Sequence, residues 1–85
     1  MSQETAKQLG QYIVADPNIC HGKPTFINTR VFVSDVLEQV AEGMAWEEII
    51  YEWHDSISAE AIAEAIQLAN QAFIKQSDEL IFELA

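Results

Sequence analysis

Residues 16 to 37 constrain the fold of this chain more than any other stretch, because turn formers and short apolar runs alternate there in a fixed order. The Asp-Pro pair at its start favours a turn, since proline fixes φ and aspartate can bond the turn backbone. Residues 25 to 27 and 30 to 33 are rich in strand formers and flank Asn28, which tolerates the positive φ of a tight turn. The stretch therefore predicts a short β-hairpin that leads directly into a helix.

Apolar residues further along the chain recur at helical spacing and predict three helices. The first spans about residues 35 to 42, with Ser34 as its N-cap and Gly43 as its C-terminal stop. The second spans residues 46 to 53, and the third runs from residue 59 to about residue 75.

The third helix has a well-marked start and a long apolar face. Ser58 precedes it as an N-cap, and Ile57 and Ile62 occupy the two positions of a hydrophobic staple. One face carries Ile62, Ile66, Ala69 and Phe73. Residues 77 to 85 are also apolar, but their pattern does not distinguish a helix from a strand.

These elements predict a mainly α fold, a three-helix bundle with a helix-turn-helix-like arrangement and a short N-terminal β-hairpin. Residues 1 to 11 are polar and lack periodicity, which predicts a flexible N-terminal arm. Residues 12 to 76 are expected to form a single domain, followed by an apolar C-terminal segment at residues 77 to 85.

Composition narrows the class of protein. The chain has 85 residues, 49% of them hydrophobic, which supplies one core and leaves apolar surface, so we expect a homodimer. A single cysteine, Cys20, excludes an intramolecular disulfide and fits a reducing compartment. No stretch approaches the roughly 20 apolar residues of a membrane span, and no signal-peptide pattern begins the chain. We therefore expect a cytoplasmic protein that does not bind a membrane.

A series of separated motifs runs through the chain: Asp16-Pro17, Gly22-Lys23-Pro24, Thr29-Arg30-Val31, Val36-Leu37 and Gly43-Met44. The series resembles the domain-of-unknown-function family 433 over roughly residues 16 to 70. The resemblance implies a small helix-turn-helix antitoxin, a DNA-binding-like module that pairs with a nuclease-like toxin. Two positions depart from the family pattern, since Asn28 stands where glycine is usual and Ala45 where a capping residue is common.

Charge opposes DNA binding by the helix that this fold would use. The formal net charge is −10, and twelve of the fourteen acidic residues lie after residue 30. A recognition helix needs basic or amide side chains near its start, but the third helix begins with Glu60 and Glu64. Its amide side chains follow further on, at Gln67, Asn70 and Gln71. DNA is therefore a possible partner that the charge disfavours, and an acidic solvated face is the favoured interpretation.

Lys23, Thr29 and Arg30 are the candidate contacts for a partner or a phosphate. The two basic side chains are half of all those in the chain, and together they suit a phosphate or a partner's carboxylate. The alternative is structural. Arg30 would pair with a nearby acid such as Asp16, and Thr29 would satisfy backbone groups of the turn.

Two familiar site patterns do not fit this sequence. The Gly-Lys pair at residues 22 and 23 is followed by proline, whereas a phosphate loop needs serine or threonine there. Cys20, His21 and His54 lack the paired spacing of a structural zinc site. We therefore expect neither a metal nor a cofactor.

The second helix carries an acidic cluster, Glu47, Glu48 and Glu52. Such a cluster suits a divalent ion or a basic partner surface, but a charge run is more often a solvated face. No nucleophile stands beside a base and an orienting group in the sequence, so we expect no enzymatic activity.

Apolar side chains in excess of one small core are the candidate interface residues. They are Trp46, Tyr51, Leu68, Leu80, Ile81 and Phe82.

The leading hypothesis is a non-enzymatic, antitoxin-like module that binds a toxin-like protein partner. Its acidic body would attract a basic partner surface. Among the four basic residues, Arg30 is the one that we expect to enter an acidic nuclease site. The alternatives are a DNA-binding, autoregulatory transcriptional regulator and a structural homodimer with no nucleic-acid role.

Overall fold

The protein combines three α-helices with a small antiparallel sheet, in a computed structural model that describes residues 6 to 84 and the side chains of residues 6 to 78. The strands are β1 (Lys7–Gln8), β2 (Ile13–Ala15) and β3 (Thr25–Phe26), and the helices are α1 (Val33–Ala41), α2 (Trp46–Glu52) and α3 (Ala59–Leu84). The mainly α fold with a short N-terminal β-hairpin is confirmed.

The sheet has the strand order β1-β2-β3, and both pairs of neighbours are antiparallel. The expectation of a flexible arm over residues 1 to 11 does not hold for Lys7–Gln8, which forms β1, while residues 1 to 5 lie outside the described part of the chain. The loop after β1 reverses the chain because Leu9 and Gly10 both donate backbone N–H groups to the Ile13 carbonyl, at 2.9 and 3.2 Å.

The second strand of the predicted hairpin, residues 30 to 33, is reduced to a single bridge to β3 at Phe32. Helix α1 begins at Val33 with Phe32 as its N-cap, so the predicted N-cap Ser34 is wrong. The physical reason is a backbone contact, since the Val33 N–H donates to the Pro24 carbonyl at 3.1 Å. This bond satisfies a helix-start N–H that would otherwise need a side-chain cap or water.

The predicted starts of α2 and α3 are confirmed, and α1 and α2 end within one residue of the prediction, but the end predicted for the third helix near residue 75 is too early. Gly43 has φ of 88° just beyond α1, a left-handed conformation that costs glycine nothing. The Ser58 hydroxyl accepts the Ala61 N–H at 3.1 Å and caps α3. The sequence left residues 77 to 85 undecided, and the structure continues α3 through them as far as Leu84.

The hydrophobic core lies between β2, β3 and the facing sides of the helices. Its buried members are Ile13, Phe26, Val31, Val33, Val36, Ile49, Ile57, Ala61, Ile62 and Ala65. Ala69 and Phe73 were assigned to the same apolar face as Ile62, but both are exposed, because α3 extends beyond the short helices that cover its beginning. Within residues 6 to 84, no helix combines the length and the apolar character needed to cross a lipid bilayer.

A side-chain network holds α1 against α2. The Trp53 indole N–H donates to Gln39 Oε1 at 2.8 Å, and Gln39 Nε2 donates to Glu52 Oε2 at 3.0 Å. The half-buried indole therefore has a partner for its polar atom, as buried tryptophans usually do.

The sheet is joined to α3 by a carboxylate. Glu64 Oε2 accepts the Gln11 N–H and Glu64 Oε1 accepts the Tyr12 N–H, each at 2.8 Å. We call this pair of bonds the Glu64 clamp. Hydrogen bonds to an ionised group are roughly twice as strong as neutral ones, so two of them on one loop form a strong tertiary link.

Gly10 is required by the close approach of this carboxylate. A Cβ added at residue 10 would lie 2.5 Å from Glu64 Oε1 and 2.6 Å from its carboxyl carbon. Any larger residue would displace Glu64 from the loop.

We predict that Glu64→Gln lowers the free energy of unfolding by about 1 to 3 kcal/mol, because an amide offers one acceptor oxygen where two N–H groups need one each. Glu38→Gln is the matched control, since it makes the same charge change at an exposed position of α1 and should stay within about 0.5 kcal/mol of the wild type. Urea unfolding followed by circular dichroism measures both. Equal stability of the two variants would contradict the clamp.

Candidate functional site

A depression of about 570 Å³ opens beside the sheet, between β1, β2 and the turn that follows β3. It is lined by Ala6, Gln8, Val14, Asp16, Ile19, Ile27, Asn28, Thr29 and Arg30. We call it the Arg30 depression, because Arg30 is the cation among these residues. Its size falls in the range of about 300 to 1,000 Å³ that is usual for binding sites.

Backbone hydrogen bonds and a positive φ at Asn28 fix the turn at residues 27 to 30, which lines the depression. Asn28 has φ of 64°, which an asparagine tolerates better than most residues, and the predicted positive φ is confirmed. The Ile27 N–H donates to the Tyr12 carbonyl at 2.9 Å, and the Thr29 N–H donates to the Phe26 carbonyl at 3.0 Å. The turn is thus fixed to the same residue, Tyr12, that the Glu64 clamp holds.

Thr29 lines the depression, but its hydroxyl is occupied within the turn. Its Oγ1 donates to the Phe26 carbonyl at 2.7 Å and accepts the Val31 N–H at 3.0 Å. These bonds match the structural alternative considered for Thr29.

Arg30 is exposed at the edge of the depression, whose apolar walls include Val14 and Ile27. Asp16 lines the same depression, and its Oδ1 accepts the Asn18 N–H at 2.9 Å within its own turn. A planar guanidinium beside apolar walls suits a carboxylate carried on an apolar protein surface.

Lys23 lies apart from this group. It is exposed, it is absent from the lining of the Arg30 depression, and its Nζ stands 5.9 Å from the centroid of the Phe32 ring. That distance is within the range of a cation–π contact. The structure therefore brings Thr29 and Arg30 together and places Lys23 elsewhere.

The turn before Lys23 contains an unusual run of backbone conformations. Cys20, His21 and Gly22 have successive φ values of 52°, 58° and 82°, all in the left-handed region. No group of three or more His, Cys, Asp and Glu side chains suited to a metal ion occurs among the described residues.

The acidic cluster of α2 lines a second depression of about 370 Å³. Two of its carboxylates have structural partners, since Glu48 Oε1 accepts the Ala45 N–H at 3.3 Å and Glu52 accepts from Gln39. Glu48 thus supplies part of the capping that Ala45 lacks. Glu47, the third member, is exposed.

The candidate interface residues have different surroundings. Trp46 and Tyr51 are exposed on α2, at 38% and 81%, whereas Leu68 is half-buried and packs against the core. The side chains of Leu80, Ile81 and Phe82 lie outside the described residues.

The sequence did not identify three residues that matter for function or stability. Phe73 and Ile74 are 67% and 51% exposed on α3, and Glu64 holds the N-terminal loop. A signal for the first two was the length of the third helix, which exceeds what two short helices can cover. No sequence signal marked Glu64, because its partners are backbone groups more than 50 residues away.

The fold defines a small, mainly helical domain with a three-stranded antiparallel sheet at its N-terminal side. A family model described as Protein of unknown function (DUF433) matches residues 13 to 69, more than half of the chain, so the chain belongs to this family. No curated protein and no solved structure matches the chain significantly. The match includes the turn at Arg30 and ends within α3, before Phe73.

We predict that Thr29→Val destabilises the protein by about 1 to 2 kcal/mol, because it removes the donor and acceptor that close the turn while conserving the shape of the side chain. Thr29→Ser keeps the hydroxyl and is the control, with a smaller loss that reflects one missing methyl group. Thermal unfolding distinguishes the two. Equal melting temperatures would show that the hydroxyl does not stabilise the turn.

Proposed function

We propose that the protein is a non-enzymatic, antitoxin-like interaction module that binds a toxin-like protein through the Arg30 depression. The observation that carries the proposal is the combination at this site of one exposed guanidinium, apolar walls and a turn fixed by backbone bonds. A fixed turn limits the ordering cost of binding, and Arg30 offers two parallel donors to a carboxylate.

The charge distribution supports a protein partner whose surface has both a basic region and an acidic region. The body of the molecule is acidic, with twelve of its fourteen acidic residues after residue 30, and it favours encounter with a basic surface. Arg30 precedes these acids in the chain, with Asp16 the acid that lines its depression, and it would meet an acidic patch within the same partner. A nuclease has both features, since its substrate-binding surface is basic and its metal site is acidic.

We predict that Arg30→Glu weakens association with the partner by about tenfold to a hundredfold, since a hydrogen bond to a charged group contributes about 1.5 to 3 kcal/mol. Lys7→Glu is the matched control. It makes the same charge change on β1, next to Gln8, but a strand directs neighbouring side chains to opposite faces.

The partner to test is the product of the neighbouring reading frame, co-expressed with this chain. Co-purification followed by titration calorimetry of the wild type and both variants gives the affinities. Failure of the two wild-type proteins to form a complex would reject this partner. Equal losses of affinity for the partner in Arg30→Glu and Lys7→Glu would reject the Arg30 depression as the binding site. The losses would then reflect only the change in net charge.

DNA binding is the second candidate function, and it is favoured by the succession of α2, a short turn and an exposed start of α3, as in a helix-turn-helix. The turn contains His54 and Asp55, with φ of 55° and 61°, which redirects the chain between the helices. Against this function, Glu60 is the charged residue in the first turn of α3. Carboxylates at this position repel the phosphates that a recognition helix must approach.

We predict that the purified chain does not shift a duplex carrying its own upstream promoter in a gel-shift titration at low salt. Mobility shifts that weaken steeply as salt rises would instead indicate binding driven by phosphate contacts, and would favour the regulator over the antitoxin-like module.

A further inference from the structure

Residues 69 to 76 of α3 have no covering partner among the described residues. At a rise of 1.5 Å per residue, its 26 residues span about 39 Å, whereas α1 and α2, with 9 and 7 residues, span about 14 and 11 Å. Residues 69 to 76 are all exposed, including Phe73 at 67% and Ile74 at 51%. Most helical stability in proteins comes from packing of an apolar face, and residues 6 to 78 offer this face nothing to pack on.

The same part of α3 interrupts the acidic surface. Residues 65 to 77 contain no aspartate or glutamate, and their one charged residue is Lys75. It is the longest acid-free stretch after residue 30, in a chain of net charge −10. The exposed apolar side chains and the gap in the acidic surface therefore coincide.

We propose that residues 66 to 77 of α3, here named the α3 extension, pair antiparallel with the α3 extension of a second copy of this chain. A basic partner gains most by facing carboxylates, and this surface has none. A second copy is repelled by like charge over the acidic body and can approach where the acids are missing.

The antiparallel direction follows from the same charges. It places the two acidic bodies at opposite ends of the paired helices, so that each body lies beside the partner's Asp78 and Glu79 and not beside the partner's whole acidic body, which lowers the repulsion. A two-fold contact is also self-complementary, since each copy presents the same surface to the other.

The helical positions give a register. Ile66, Asn70, Phe73, Ile74 and Ser77 lie along one side of α3, at spacings of three and four residues. A two-fold axis level with Asn70 sets Ile74 of each copy against Ile66 of the other, which is half-buried against its own core and presents its remaining surface to the partner. The two Asn70 amides then meet at the axis and can bond each other, as a buried asparagine does when it fixes a helix register.

We predict a concentration-dependent dimer of the purified chain in sedimentation equilibrium, and a rise of the dimer dissociation constant by more than about tenfold in Phe73→Glu, because an unpaired carboxylate would enter an apolar contact. Tyr51→Glu is the matched control. It introduces the same charge in place of an aromatic residue that is 81% exposed on α2, and it should leave dimerisation unchanged.

Salt and the helix content complete this test. Raising the salt concentration should strengthen the dimer, since it screens the repulsion between the two acidic bodies. Circular dichroism of Phe73→Glu should retain the helical signal. A chain that stays monomeric at every concentration would overturn the proposal. An equal rise of the dimer dissociation constant in Phe73→Glu and Tyr51→Glu would also overturn it.

Cross-linking tests the register independently of stability. In a Cys20→Ala background and with an oxidant added, Asn70→Cys should form a disulfide-linked dimer rapidly. Gln71→Cys, one residue further around the helix, should form one slowly. Equal rates for the two variants would overturn the antiparallel register. Both experiments use the purified chain alone, so their failure leaves the proposed toxin-like partner unaffected.

Discussion

The Glu64 clamp is the interaction on which the arrangement of the N-terminal half depends. It joins the loop before β2 to α3, whereas the bond from the Val33 N–H to the Pro24 carbonyl joins the residue before β3 to the start of α1. The clamp holds the backbone of Gln11 and Tyr12, and the Tyr12 carbonyl then accepts the Ile27 N–H. A chain of hydrogen bonds thus runs from the second turn of α3 to the turn that carries Arg30.

This chain of contacts gives the Arg30 depression its shape. Thr29 closes the turn with its hydroxyl, and the Glu64 clamp fixes the loop next to it. Arg30 itself remains exposed, so the site combines a turn held by hydrogen bonds with an exposed cationic side chain. Preorganised sites of this kind lose little conformational entropy on binding, which is why the proposed contact is assigned to this turn.

Charge separates the two proposed surfaces. The Arg30 depression belongs to the N-terminal part of the chain, before most of the acids begin, and the α3 extension is a gap within the acidic part. The family match covers the first surface from Val14 to Arg30 and ends at residue 69, before Phe73 and Ile74. A partner contact through Arg30 and a self-contact through the α3 extension would therefore use different ends of the molecule's sequence and need not compete.

The local elements follow from the sequence alone: the presence of three helices, the Ser58 cap, the stop at Gly43 and the turn at Asn28. Each of these depends on side-chain type and spacing within a few residues, which a single sequence displays directly. The association of Thr29 and Arg30 was also evident, because the two residues are adjacent. The predicted start of α1 was wrong because the Val33 N–H donates to the Pro24 carbonyl. No side-chain type in the sequence indicates this backbone hydrogen bond.

The tertiary structure alone decided where Glu64 binds, that Lys23 stands over Phe32 rather than beside Arg30, and that Phe73 is left uncovered. The periodicity of α3 continues past Ile66 without change, so the pattern could not tell a buried face from an exposed one. Burial depends on how far the neighbouring helices reach, and reach is set by the lengths and packing of α1 and α2 rather than by residues in α3. Contacts between backbone groups and distant side chains likewise leave no periodic trace, because the backbone is chemically the same at nearly every residue.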